Sequence, residues 1–508
     1  MKQKSTAFNH HRCLAYLPAA FLPAALFLAW LTVMRLTGTP ISLLPTASDE
    51  LSWYRQIASV VSSGMPLGYY GYNGTHALHG TFGPWGIGIL LPYAIWGKLF
   101  GWGLTSMCIA NVTFLGIALC LFLLLCRPNS RECRFILLCY CTLLMNIYYS
   151  AFSMGECLRW SMAILLCGCM VHIYRGYGGR IFCYILTPAL LLFCSEAYLL
   201  LALFIPIYLL MVLPVRRLWL KLPVSLGITA VVSFLLRKLL HQIAAPYNPG
   251  ATSEALSFFA RMKNKIQAAL KVFYQVSPAG LWKHRSESSG FPALMLAAFL
   301  VFLIFCILKA IRLRGQKTCH AYVAAAFLMI GSLGGYAFLY RSPSFWTLCR
   351  GLTMPLICGV MLTALYCHRS TLLLCVLCAL LSLPSFYQLS DTNLSRRCLT
   401  DKQETLIEES REAYDAIFDI SPENSRWENT IALYGRRRAG AQTALSFYLP
   451  ENAGYNNMLN NSIICEAAYA VVYHSYSEEE QYETTIANLQ ANGYETVFQK
   501  KALTILKR

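Results

Sequence analysis

The chain has 508 residues, of which 56% are hydrophobic and only 13% are charged. About a quarter of the residues in an ordinary soluble domain are charged, so this composition excludes that class and favours a multi-pass membrane protein. The formal net charge is +18, but many Lys and Arg residues cluster in short loops between apolar runs, and no basic module interleaved with aromatic residues stands out, so nucleic-acid binding is not expected.

The first apolar run covers about residues 14–34 and follows the basic residues Lys2, Lys4 and Arg12. The apolar core of a signal peptide is about 7 to 15 residues long, so this longer run predicts an uncleaved membrane-spanning helix. Basic residues before a first span favour a cytoplasmic N-terminus. The loop that follows, residues 37–102, is then expected outside the cytoplasm.

That loop begins with two adjacent acids, Asp49 and Glu50, in the stretch "TASDELSWYR". Ser48 is a suitable N-cap, and a carboxylate in the first helical turn opposes the helix dipole. Capping accounts for one acid but not for the second. Trp53 and Ile57 follow Asp49 on one face, which suits a helix at the membrane surface.

The rest of the loop is dense in Tyr, Trp, Gly and His. Tyr70 and Tyr72 fit either an aromatic belt at the level of the lipid headgroups or contacts to a substrate. His79, with His76 nearby, is either a metal ligand or a neutral loop residue, and the second interpretation is favoured for an isolated pair. The segment 84–100, with Lys98 near its end, is apolar but short, so we predict an interfacial or juxtamembrane helix on the outer face.

Ten further spans are predicted along the chain. They are expected at about 103–126, 135–152, 158–174, 181–194, 197–213, 222–241, 291–311, 320–339, 350–366 and 371–388. With the first run they make an α-helical polytopic protein of about eleven transmembrane helices in the cell (plasma) membrane.

Loop charges support this topology, because basic residues recur in every second loop and the outer turns near 155 and 195 are poor in them. The basic residues are Arg127, Arg131 and Arg134; Arg175 and Arg180; Arg216, Arg217 and Lys221; Arg312, Arg314 and Lys317; and Arg369. The pattern places the 37–102 loop, the 242–290 loop and everything after about 390 outside the cytoplasm.

Two outer turns carry further ionisable residues. Glu156 lies in "GECLRW" and forms an i,i+3 pair with Arg159, which alone suits a helix start. Arg341 and Arg350 open the tenth span from the outer side, as headgroup anchors or as neutralising groups for the phosphate of a lipid-linked molecule. Because Asp49, Glu50 and Glu156 are predicted on one face at one depth, we interpret them as candidate functional residues.

The polar region 390–508 differs from the membrane-embedded region 1–389, which includes the 37–102 loop. Its end predicts a strand, an acidic helix from about Ser477, a turn at Asn492-Gly493 and two short strands. We expect a small extracytoplasmic α/β domain. Cys398 and Cys465 lie in this region, and the sequence leaves open whether they pair.

Three stretches and this tail together resemble a known family. "SDELSWYRQIASVVSSGM" resembles its acidic pair and helix after the first span, "HGTFGPWGIGILLPYAIWGKLFGW" its juxtamembrane segment, and "GECLRWSMAILL" its second-loop motif. The family is the GT-C superfamily of glycosyltransferases that use polyprenyl-phosphate sugars, in the branch of protein O-mannosyltransferases and lipid A aminoarabinose transferases. Two departures stand out: Phe82-Gly83-Pro84 replaces a double proline, and Trp160 precedes the usual aromatic position by one residue.

The resemblance implies that a sugar passes from a polyprenyl-phosphate donor to an acceptor hydroxyl in the cell envelope (on protein, lipid or polymer), with inversion at the anomeric carbon. Asp49 would be the general base, with Glu50 beside it. Charge on the leaving phosphate would be neutralised by Arg341, Arg350, Lys98 or a divalent metal ion held by Glu156 or His79. The enzyme would be a hexosyl- or pentosyltransferase.

Two other classes of function fit a polytopic chain. A transporter or flippase of lipid-linked or polar substrates usually shows charged or broken helices near mid-membrane, often in repeated halves. This chain concentrates its acids at one edge and shows no internal repeat. A non-catalytic membrane scaffold would leave the acidic pair unexplained.

Overall fold

A computed structural model was analysed. It describes residues 16–45, 48–64, 70–72, 87–177, 231, 235, 258–339, 344–399, 401–421, 423–424, 428–434, 448–450, 453–458, 462–474, 479–500 and 503–508.

Helices form most of the described chain. Before the C-terminal region they are α1 (Leu22–Leu36), α2 (Ser48–Ser63), α3 (Ile87–Phe100), α4 (Ser106–Cys126), α5 (Ser130–Cys141), α6 (Leu144–Ser150), α7 (Glu156–Tyr174), α8 (Phe258–Val276), α9 (Pro278–Lys283), α10 (Phe291–Arg312), α11 (Cys319–Leu339), α12 (Phe345–Ala364) and α13 (Arg369–Ser395).

Seven helices of the described chain are long and apolar enough to cross a membrane, or eight if the bent pair α5–α6 counts as one span. They fall where the sequence predicts spans, so the multi-pass α-helical membrane fold is confirmed. The predicted spans at 181–194, 197–213 and 222–241 lie outside the described residues, except for positions 231 and 235. The total of eleven therefore stays a prediction.

The span predicted at 135–152 is bent. Helix α5 ends at Cys141, α6 begins at Leu144, and their axes differ by 59°. Hydropathy identifies both pieces as apolar but carries no information on the direction of an axis. The bend sends the short α6 into the loop 151–155, which precedes α7.

Helices α2 and α3, both from the loop 37–102, pack against each other. A Cβ on Gly97 would lie 2.6 Å from Val61, so glycine permits the close approach. The Tyr54 ring stacks on Trp102 with centroids 5.8 Å apart. Helix α3 has 14 residues and is about 21 Å long, which is shorter than the roughly 30 Å of a hydrocarbon core. Its length agrees with the predicted juxtamembrane helix.

The basic loops meet at one end of the helical bundle. Arg175 pairs with Glu132 at 3.2 Å, and the Tyr174 hydroxyl donates to the carbonyl of Lys317 at 3.1 Å. The opposite end carries α2, the loop 151–155, the start of α12 and the end of α13. The basic loops around positions 132, 175 and 317 therefore lie at the same end, while the side of the membrane on which each end lies remains a prediction.

The C-terminal region contains a helix, α14 (Asp401–Ile417), and a mixed sheet. Its strands are β1 (Tyr70–Tyr72), β2 (Thr430–Tyr434), β3 (Gly454–Met458), β4 (Tyr469–Tyr473), β5 (Glu495–Gln499) and β6 (Leu503–Lys507), with helix α15 (Glu479–Ala491) between β4 and β5. The order of the strands is β1-β3-β2-β4-β6-β5. The predicted strand, helix, turn and two strands are confirmed, with Gly493 at a φ of +86° in the turn.

Strand β1 was not predicted. It comes from the loop 37–102 and pairs in parallel with β3, Tyr70 opposite Tyr455 and Tyr72 opposite Asn457. The sheet of the C-terminal region is thus completed by a segment close in sequence to the acidic pair. Cys398 and Cys465 are both free thiols.

Candidate active site

Asp49 and Glu50 occupy the first turn of α2 but face different surroundings. Consecutive residues of an α-helix are rotated by about 100°, so the two side chains leave the axis in different directions. Glu50 has no exposed surface, whereas Asp49 is half-buried.

Glu50 connects segments that are distant in the sequence. Its Oε1 accepts a hydrogen bond from the backbone N–H of Ser153 at 2.9 Å and pairs with Nη2 of Arg397 at 3.0 Å. Arg397 also donates to the carbonyls of Ala151, at 3.1 Å, and Leu44, at 3.3 Å. A buried charge is stable only when it is paired and hydrogen-bonded, and both conditions are met here.

Asp49 has a different environment. Within the described chain, no hydrogen bond to its carboxylate is present. Burial raises the pKa of Asp49 above the ordinary value for an aspartate; the charge of Arg350 lowers it, and the charges of Glu156 and Glu50 raise it further. Asp49 is thus a partly desolvated carboxylate, close to a cation but not hydrogen-bonded by described residues.

Glu156 is buried in the first turn of α7 and meets two guanidinium groups. Its Oε1 lies 3.3 Å from Nη1 of Arg159 and 3.5 Å from Nη1 of Arg350. Its Oε2 is also buried and makes no hydrogen bond to the described part of the chain. Arg350 comes from α12, so the pair joins two helices that are distant in the sequence. Asp49, Glu156, Arg159 and Arg350 together form what we call the acid–arginine cluster.

Packing of α2 on the loop 151–155 sets the position of the cluster. The Trp53 indole lies against Gly155, where a Cβ would come within 2.5 Å of the ring. The guanidinium of Arg159 lies 5.7 Å from the centre of the Trp53 ring. Any side chain at position 155 would push Trp53, and with it α2, away from Glu156.

Asn111 holds the same loop from the other side. This residue is buried within α4, and its Nδ2 donates to the carbonyls of Phe152, at 2.8 Å, and Met154, at 3.1 Å. Its Oδ1 accepts from the Tyr93 hydroxyl at 2.5 Å. The loop before Glu156 is therefore anchored by polar bonds from α4 as well as by Glu50.

Comparison with known proteins shows which solved structures have a similar fold. No protein-family model matches the chain, and no curated protein matches it. Among solved structures, ArnT from Cupriavidus metallidurans bound to undecaprenyl phosphate is similar, with a TM-score of 0.54 and 11% identity over 95% of this chain and 97% of that one. The Archaeoglobus fulgidus oligosaccharyltransferase in its apo form gives a TM-score of 0.51 and 13% identity, over 92% of this chain and 70% of that one.

Both of these proteins are GT-C glycosyltransferases. The chain has the GT-C fold. At this level of identity the likeness concerns the fold, and the chemistry has to be argued from the side chains. The resemblance inferred from the four parts of the sequence is confirmed at that level.

On the GT-C fold, four of the predicted site residues meet in the acid–arginine cluster, and Glu50 lies directly beside it. Lys98 is exposed in the last turn of α3, and no ion pair joins it to another described residue. Tyr70 and Tyr72 belong to β1, and their side chains are not among those described. Arg341 and His79 lie outside the described residues. Substrate binding by Lys98, Tyr70, Tyr72 and Arg341, and metal binding by His79, stay predictions.

The possible metal site receives little support from the described side chains. No group of three or more His, Cys, Asp or Glu among them is placed to hold a metal ion. Glu156 offers a single unbonded oxygen, its Oε2, and divalent cations in proteins need several ligands. The described residues alone do not fit a metal site, and no step of the chemistry below uses one.

Two residues that organise the site were missed in the sequence. Arg397 follows the last span in a run of polar residues and looks like an ordinary boundary residue. Asn111 is a polar residue inside an apolar span, which is a usable signal because amides in such spans need partners. The partners of Arg397 and Asn111 could not be named from the sequence, because both side chains bond to backbone atoms of the loop 151–155.

Proposed function

We propose that this chain is a membrane glycosyltransferase that transfers a sugar from a polyprenyl-phosphate donor to an acceptor hydroxyl. The observation that carries the proposal is the position of Asp49, a partly desolvated carboxylate under the charge of Arg350. Arg350 shares a second acid, Glu156, with Arg159. The bound undecaprenyl phosphate of the similar ArnT structure supports this class of donor lipid.

Asp49 is the general base in this proposal. A base must reach the proton that it removes and must be free of competing bonds, and the Asp49 carboxylate accepts no hydrogen bond from the described residues. Its raised pKa makes the ionised form a stronger base than an ordinary aspartate. The charge of Arg350 limits the rise in the pKa of Asp49 and so favours the ionised form.

Arg350 and Arg159 bind the phosphate of the donor. A guanidinium presents several N–H donors in a plane and suits phosphate oxygens. Glu156 holds both guanidinium groups through Oε1 before the donor arrives. The departing polyprenyl phosphate is a stable anion, so the reaction needs charge neutralisation at the leaving group rather than an acid.

The acceptor oxygen attacks the anomeric carbon directly, and the bond to the phosphate oxygen breaks. A single displacement of this kind inverts the configuration at that carbon. The proton of the acceptor hydroxyl passes to Asp49. Glu50 has a positioning role, because its carboxylate is already hydrogen-bonded to Ser153 and paired with Arg397.

We place the acid–arginine cluster on the extracytoplasmic side, with the N-terminus in the cytoplasm. The clustering of the basic loops at the opposite end of the bundle supports this orientation. The C-terminal region would then share the outer side with the site and face acceptors of the cell envelope.

The test is a transfer assay with purified protein and a radiolabelled polyprenyl-phosphate sugar. Wild type is expected to form a glycosidic product or to release free sugar by hydrolysis, and Asp49→Asn to lose at least about a hundredfold in rate. The matched control is Asp415→Asn, which changes an exposed aspartate of α14 and should leave the rate unchanged.

Equal rates for wild type and Asp49→Asn would exclude the assigned base. A transporter would instead move labelled lipid or sugar across a vesicle membrane without forming a product. Cysteine labelling of intact cells separately tests the orientation, since a cytoplasmic position for the loop 151–155 would contradict it.

A further inference from the structure

Two buried polar atoms beside Arg350 lack hydrogen-bond partners among the described residues. They are Oε2 of Glu156 and the hydroxyl of Tyr149. The Glu156 and Tyr149 residues are only 2% and 1% exposed. Buried polar atoms are nearly always hydrogen-bonded in native proteins, either to protein or to another molecule, so these two atoms mark a place where a ligand can supply the missing bonds.

Both atoms belong to the surroundings of Asp49. The Tyr149 ring contacts Trp160 and Trp346, which lie one helical turn from Glu156 on α7 and one turn from Arg350 on α12. The charges of Arg350 and Glu156 act on both Tyr149 and Asp49. Tyr149 ends α6, immediately after the bend in the broken span. The bent geometry is therefore what brings this hydroxyl to the acid–arginine cluster.

The Tyr149 ring is fixed by aromatic neighbours. It stacks on Trp346 with centroids 6.2 Å apart and planes 23° from parallel, and it meets Trp160 edge-on at 5.2 Å. A ring held on two sides cannot turn its hydroxyl toward a new partner in the core. These rings also offer an apolar wall, of the kind that the C–H faces of a sugar can contact.

The hydrogen-bonding chemistry of Glu156 Oε2 and of the Tyr149 hydroxyl limits which ligand groups can bond to them. A carboxylate oxygen only accepts hydrogen bonds, and the non-bridging oxygens of a phosphodiester also only accept. The partner of Glu156 Oε2 must therefore carry an O–H or N–H group. A phenol hydroxyl can both donate and accept, so it is compatible with the same partner.

We propose that Tyr149 and Glu156 Oε2 form the subsite for the donor sugar and bind its hydroxyl or amino substituents, while Arg350 holds the adjoining phosphate. This inference rests on the proposed function and extends it to the recognition of the sugar. It requires that the orphan atoms are bonded only when the donor is present.

A prediction follows that separates ligand binding from a structural role. Tyr149→Phe removes an orphan hydroxyl, so the thermal unfolding midpoint of the purified protein should stay the same or rise. Tyr148→Phe is the matched control. The Tyr148 hydroxyl accepts a hydrogen bond from Nδ2 of Asn393 at 2.7 Å, so its loss should lower the midpoint.

The binding measurement uses four lipids in detergent. They are undecaprenyl phosphate itself and undecaprenyl phosphate carrying mannose, glucose or a 4-aminopentose. Wild type should bind at least one of the sugar-bearing lipids more tightly than the sugar-free one. For that lipid, Tyr149→Phe should raise Kd about tenfold, which is about 1.4 kcal/mol, and leave Kd for undecaprenyl phosphate unchanged. Tyr148→Phe should leave all the values of Kd unchanged.

The possible contrary results have different meanings. If wild type binds none of the four lipids, the proposed function and the inference both fail. If wild type binds undecaprenyl phosphate and no sugar improves the affinity, the sugar subsite is excluded while the donor-lipid proposal stands. Equal weakening of all lipids by Tyr149→Phe would assign the hydroxyl to the phosphate, and a lowered midpoint would assign it to the fold; both would overturn the inference.

Discussion

Asp49 and Glu50, the adjacent acids at the start of α2, should differ in what their mutation does to stability and activity. Glu50→Gln leaves the Arg397 guanidinium buried opposite a neutral amide. The side chain of Glu50 is 0% exposed and that of Arg397 is 3% exposed, so solvent screens the pair very little. Breaking a buried ion pair from one side costs about 3–5 kcal/mol of unfolding free energy, and we expect a loss in this range.

Asp49→Asn should behave differently. It removes a desolvated charge to which the described residues donate no hydrogen bond, so the unfolding free energy should be unchanged or slightly higher. Its activity should nevertheless fall by about 10²–10⁴. The assay pairs denaturant unfolding in detergent, followed by tryptophan fluorescence, with sugar transfer at a temperature where every variant is folded.

A double-mutant cycle sharpens the test of Glu50. Arg397→Met alone should also be strongly destabilising, while the combination with Glu50→Gln should cost less than the sum of the single changes by up to about 3 kcal/mol. The result that would refute the reasoning is a Glu50→Gln protein of wild-type stability that has lost transfer as completely as Asp49→Asn. Glu50 would then belong to the chemistry and not to the support of the loop 151–155.

Four further predictions concern the site and its surroundings. Since burial raises the pKa of Asp49 and Arg350 lowers it, Arg350→Gln should move the acidic limb of the kcat/KM profile to higher pH. An unmoved limb would mean that Asp49 is not the base. Asp49 itself stabilises the fold most when protonated, and this contribution is lost as pH rises through its raised pKa; Asp49→Asn should abolish that pH dependence. Gly155→Ala places a methyl group within 2.5 Å of the Trp53 ring, so stability should fall by about 1–3 kcal/mol, with a shift in Trp53 fluorescence; an unchanged spectrum and stability would contradict the packing described. Arg55 is buried in α2 and donates to two backbone carbonyls of the C-terminal region; Arg55→Met should speed protease cleavage there and slow transfer, and equal cleavage of both proteins would exclude this anchoring.

Much of the fold could be predicted from the sequence. Membrane helices are encoded by long apolar runs, and the seven described spans lie where those runs do. The helix and strands at the C-terminus follow from local periodicity and turn residues such as Gly493. Two features were not predicted: the bend within the span at 135–152 and the strand β1 of the sheet. Axis direction depends on packing, and a three-residue strand at 70–72 gains its stability only from pairing with β3.

Part of the candidate site was predictable from the sequence, but the contacts of its residues were not. Asp49, Glu50 and Glu156 stood out because acids are rare and costly next to lipid. Arg397 and Tyr149 did not stand out, because an arginine after a span and a tyrosine at a helix end are ordinary. Their importance comes from their neighbours in the fold, which are Glu50 for Arg397 and the acid–arginine cluster for Tyr149.

By itself, the sequence determined that the chain crosses a membrane many times, that its acids gather at one end and that a mixed α/β region follows. These properties are local sums of hydropathy and charge, which do not depend on how the helices pack. Only the tertiary structure decided which of the two adjacent acids is available for chemistry. The partners of Glu50 lie 103 and 347 residues away, and the turn of about 100° between neighbouring helix positions directs Glu50 to those partners and Asp49 to the acid–arginine cluster.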